Sequence, residues 1–64
     1  MKDIATIPFR DVESGDKAVA IVRAQQGVIA LALFLESDGD LEVFLPRAAA
    51  EALSRALDAA VRIA

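Results

Sequence analysis

Residues 17–36 read KAVAIVRAQQGVIALALFLE, and this stretch decides the fold. Lys17 to Gln25 and Val28 to Glu36 are both strand-like in composition, and Gln26-Gly27 between them is a two-residue turn. That loop length sets the pairing, with Gln25 opposite Val28, Val22 opposite Leu31, Ala20 opposite Leu33 and Lys17 opposite Glu36. Side chains alternate between the two faces of a strand. One face therefore collects Ala18, Ala20, Val22, Ala24, Ile29, Leu31, Leu33 and Leu35. Small residues on one strand beside large ones on the next form a bed for a helix.

Outward from the hairpin, Ser37-Asp38-Gly39-Asp40 is a second turn. With Asp38-Gly39-Asp40 as its loop, a strand over Leu41–Leu45 adds Val43 and Leu45 to the same face. A slip of one residue there would exchange Val43 and Phe44 between faces. Pro46, with its fixed φ and no N–H, suits the first position of a helix over about 46–63. At 100° per residue, Ala49, Leu53, Leu57, Ala60 and Ala64 share one side, flanked by Ala56, Val61 and Ile63. Arg47, Glu51, Ser54, Arg55, Asp58 and Arg62 take the opposite side. On the N-terminal side, Glu13-Ser14-Gly15-Asp16 reads as a turn. About 4–12 reads as an edge strand or irregular arm, because Pro8 cannot donate to a ladder.

The fold class that follows is α+β. One domain spans residues 1–64 in the order β-β-β-β-α, with a four-stranded antiparallel sheet and one C-terminal helix packed on one face. The other face should then be polar. Instead it carries Val19, Ile21, Ala30, Ala32, Phe34 and Phe44, with Lys17, Arg23, Gln25 and Glu36 at its ends. Apolar patches rimmed by charge mark contact surfaces, and the simplest occupant is the same face of a second copy. Ala30 and Ala32 would let two sheets approach closely, so Ala32→Arg is expected to give monomer or insoluble protein.

Composition points the same way. The chain has 64 residues, 36 of them apolar, and a net charge of −3. Fourteen of the apolar residues are alanines, which bury little area each, and no cysteine is present to staple so small a core. A homodimer is therefore the expected state.

The absence of His and Cys excludes thiol nucleophiles, imidazole triads and His/Cys zinc sites. Zero cysteine fits a reducing compartment, and Met1-Lys2-Asp3 leads into no apolar signal core, so a cytoplasmic location is expected. The longest apolar run, Val28–Leu35, is too short to span a bilayer, and the mixed-charge helix does not resemble a membrane-surface helix. Asp38, Asp40 and Glu42 alternate as cation ligands can, but the closing residues of a calcium loop are missing, and turn geometry accounts for Asp38-Gly39. Asp11, Glu13 and Asp16 read in the same way as a solvated turn. The hydroxyls Thr6, Ser14, Ser37 and Ser54 have no activating base. No catalytic residue, cofactor or metal is assigned, and an enzyme is not expected.

The run from Asp38 through Pro46 into Ala49, Leu53 and Leu57 is similar to the strand-to-helix ending of many short Ala-rich bacterial proteins, over about 25 residues. It carries no motif that implies a function. The functional expectation is a small non-enzymatic homodimeric protein-interaction module or assembly subunit, with a protein partner. The alternative is a nucleic-acid-associated regulator that stacks bases on Phe34 and Phe44 near Lys17 and Arg23, through the sheet face or a dimer groove. The acidic balance disfavours nucleic acid, as do the i,i+4 pairs Arg47 with Glu51, Glu51 with Arg55 and Asp58 with Arg62, which neutralise the helix arginines.

Overall fold

The computed structural model describes all 64 residues as four strands and a helix. These are β1 (Lys2–Arg10), β2 (Lys17–Gln25), β3 (Val28–Leu35), β4 (Gly39–Pro46) and α1 (Arg47–Ile63). The strands form one antiparallel sheet in the order β1-β2-β3-β4, the α+β arrangement expected.

The central hairpin has the expected register, with Gln25 opposite Val28, Val22 opposite Leu31 and Ala20 opposite Leu33. Gly27 carries φ +78° and no non-glycine residue has positive φ, the signature of a type II turn at Gln26-Gly27. The ends of the other strands fall elsewhere than the composition suggests. β1 stops at Arg10 because the Asp11 carboxylate accepts from the Ser14 N–H (2.9 Å) and the Ser14 hydroxyl (2.8 Å). That pulls the chain into a loop two residues before the acidic turn begins in composition. β1 is a regular edge strand apart from an irregularity between Asp3 and Ala5.

The β3–β4 loop is Glu36-Ser37-Asp38 rather than Asp38-Gly39-Asp40, and Gly39, at φ +88°, opens β4. Leu33 thus pairs with Leu41, Leu31 with Val43 and Ile29 with Leu45. Compared with a loop at 38–40, each partner moves by four residues. An even shift leaves every side chain on its expected face. At this end of the sheet the Ser37 hydroxyl donates to the Asp16 carboxylate and ties the two loops together.

Pro46 is the last residue of β4 and also the N-cap of α1, which has no side-chain cap and no acidic residue in its first turn. With no loop between strand and helix, α1 starts above β4 and stays there. Its backbone comes close to β3 and β4 but not to β1 or β2. The alanine column of β2, expected as the helix bed, is therefore left to one side. No helix is long and apolar enough to cross a membrane.

Only Ala18, Ala30 and Ala32 are buried; every larger apolar side chain keeps part of its surface in water. The chain exposes 5105 Å², where a compact monomer of 6.8 kDa exposes about 4,000 Å². Its radius of gyration is 12.7 Å, against about 10.7 Å expected for a closed domain of this length.

Candidate interaction surface

The sheet has two unlike faces. On the helix side, β1 contributes Ala5, Ile7 and Phe9, and β2 contributes Ala18, Ala20, Val22 and Ala24. β3 adds Ile29, Leu31, Leu33 and Leu35 there, and β4 adds Leu41, Val43 and Leu45. No charged side chain interrupts this set. α1 approaches only one corner, where Ala50, Leu53, Ser54 and Leu57 stand over Val22, Ile29, Leu31 and Leu45 around a groove of about 360 Å³. Ser54, expected on the solvated side of the helix, lines this groove. The far half of the face is uncovered: Ile7, Phe9, Leu33 and Leu41 are exposed beside a depression of about 320 Å³ lined by Phe9, Ala18, Leu33, Phe34, Leu35 and Leu41, with Asp11, Asp38 and Asp40 at the loop end of the sheet.

The six residues expected as an interface do share the opposite face. Val19 pairs with Phe34, Ile21 with Ala32, and Ala30 with Phe44. Phe34 and Phe44 are exposed, at 38% and 61%, and Val19 and Ile21 are half-buried. Ala30 and Ala32, however, are buried within the single chain. Arg23 lies beside Ala30 and Glu42 beside Ala32, and the two charged side chains form an ion pair that crosses β3 over these alanines. Close approach of a second sheet at Ala30 and Ala32 would first have to displace that pair. An arginine at position 32 would meet its own chain.

The ion pair divides the face into a Val19–Ile21–Phe34 cluster and a separate Phe44. Composition missed it because the Arg23–Glu42 diagonal exists only in this β3–β4 register.

The helix holds a second feature. Placing its residues at 100° intervals confines Arg47, Glu51, Arg55, Asp58 and Arg62 to an arc of about 80°, leaving an apolar arc of about 220°. A helix resting on one sheet needs an apolar stripe of about 100° or slightly more. The surplus arc carries Ala52, Ala56, Ala59, Ala60 and Ile63, all exposed. Ile63 is 88% exposed. The narrowness of the charged arc was the signal in the sequence.

The acidic residues do not converge on a metal site. Asp11 is engaged in its own loop, its carboxyl held below the ordinary value by the Ser14 backbone N–H and then by the Ser14 hydroxyl. Glu42 is paired with Arg23, and Asp38 lies in the turn. Along α1 the charges pair as Arg47–Glu51 (3.0 Å) and Asp58–Arg62 (2.9 Å). What the surface offers chemically is apolar area in a continuous, partly concave sheet. Comparison with protein-family models, curated proteins and solved structures finds no match for the chain.

Proposed function

We propose that the chain is a non-enzymatic protein-interaction module that works as a homodimer. The observation that carries this reading is the missing core: three alanines are buried and the large apolar residues of the helix-side face are not. The surface in excess of a compact monomer is about 1,100 Å² per copy, more than the roughly 800 Å² that each partner buries in a standard interface. With the helix side consumed by self-pairing, the Val19–Ile21–Phe34 cluster and Phe44 are what a dimer presents to a protein partner, since exposed aromatics favour such contacts.

The midpoint of urea unfolding tests self-association, because stability that depends on a second copy rises with protein concentration. A midpoint that climbs over a hundredfold concentration range supports the reading, and a constant midpoint overturns it. Titration with a labelled single-stranded oligonucleotide at two salt concentrations tests the partner class. Salt-dependent binding would replace the protein partner by nucleic acid, whereas the net charge of −3 leads us to expect a flat titration.

A further inference from the structure

We propose that the two copies dock reciprocally, the C-terminal half of each α1 lying on the uncovered half of the other's helix-side face. This rests on the self-association reading above and specifies its geometry. The chain has two unmet apolar surfaces of different shape. One is the sheet area walled by Ile7 and Phe9 on β1 and Leu33 and Leu35 on β3, with Ala18 and Ala20 as its floor. The other is the surplus arc of α1, a ridge of alanines ending in Ile63.

The trough lies on β1 and β2 and at the end of β3 away from Ile29 and Leu31, where α1 of the same chain sits, and the ridge belongs to the part of α1 farthest from its junction with β4. Each surface fits the other in character, a small-residue ridge on a small-residue floor. A two-fold axis satisfies both at once, whereas a foreign partner would have to supply a ridge and a trough together. The narrow charged arc of α1 can stay in water in this arrangement. Two copies that each bury their surplus of about 1,100 Å² would share an interface of roughly 2,200 Å², the size range of obligate dimers.

The chain has no cysteine, so single cysteines can be placed cleanly. Ile7→Cys and Ile63→Cys are made in separate chains, one of them isotope-labelled. The two are refolded together and treated with a short bismaleimide. Any species of intermediate mass then joins position 7 of one copy to position 63 of the other. The proposal predicts this species as a major product of the mixture, and a control chain carrying Asp58→Cys, on the charged arc, in place of Ile63→Cys yields little of it. A dimer by solution mass that gives no mixed 7–63 product overturns the docking geometry and leaves self-association standing. A monomer by solution mass overturns both.

Discussion

Ile63→Asp separates what one copy needs from what two copies need. Ile63 is 88% exposed in the single chain, so the change removes almost no packing within the copy. If Ile63 lies on a second copy, the loss is about 1 kcal/mol of apolar burial per copy, half of the roughly 2 kcal/mol for a fully buried isoleucine. A carboxylate without a partner at an apolar contact adds about 2 kcal/mol. A two-fold dimer takes both costs twice, about 6 kcal/mol in all, which weakens association about 10⁴-fold. Arg62→Asp is the control: it places the same charge next to the same helix end and removes the exposed Asp58–Arg62 pair, but it lies on the charged arc. The assay is sedimentation equilibrium on both variants, with circular dichroism to follow helix content. Ile63→Asp is expected to shift to monomer, with partial loss of structure, while Arg62→Asp stays dimeric. Equal dissociation constants for Ile63→Asp and the unsubstituted chain would refute the assignment of Ile63 to the contact.

Three further outcomes follow from local geometry. The folded pKa of Asp11 is depressed, so its contribution to stability is present above the unfolded value, near 3.8, and is lost as pH falls through the folded value. In an NMR titration the Asp11 carboxyl should have its midpoint below 3.8, moving upward in Ser14→Ala; a native midpoint at or above 3.8 contradicts the loop's hydrogen bonding. Gly27→Ala should cost about 1–2 kcal/mol, because φ is +78° at an open position where only backbone strain acts, and an unchanged unfolding midpoint would show that the turn has another conformation. The Arg23–Glu42 pair is about a third exposed on each side, so a double-alanine cycle should give a coupling of about 0.5 kcal/mol. A coupling above about 2 kcal/mol would mean that this face is desolvated by a partner.

The central hairpin was legible because Gln26-Gly27 fixes both loop length and parity, and the run of apolar residues leaves no alternative period. Face assignments on β4 held despite the different loop because the displacement was even. The edges were less legible, since Asp11 closes its loop through a side-chain bond to Ser14 that composition does not reveal. How far the helix would cover the sheet was not readable at all. The consecutive placement of β4, Pro46 and α1 holds the helix over β4 and β3, and this is a matter of three-dimensional direction rather than pattern. The six residues expected as an interface share one face because strand parity alone decides it, but the roof over Ala30 and Ala32 depends on a cross-strand diagonal. The larger unmet apolar area lies on the helix side.

The most direct measurement is solution mass by light scattering over a hundredfold range of concentration. A mass near twice 6.8 kDa that persists on dilution is the predicted result, because each copy completes the core that the other lacks. A folded monomer of 6.8 kDa at all concentrations, with native helix and sheet content, would contradict it.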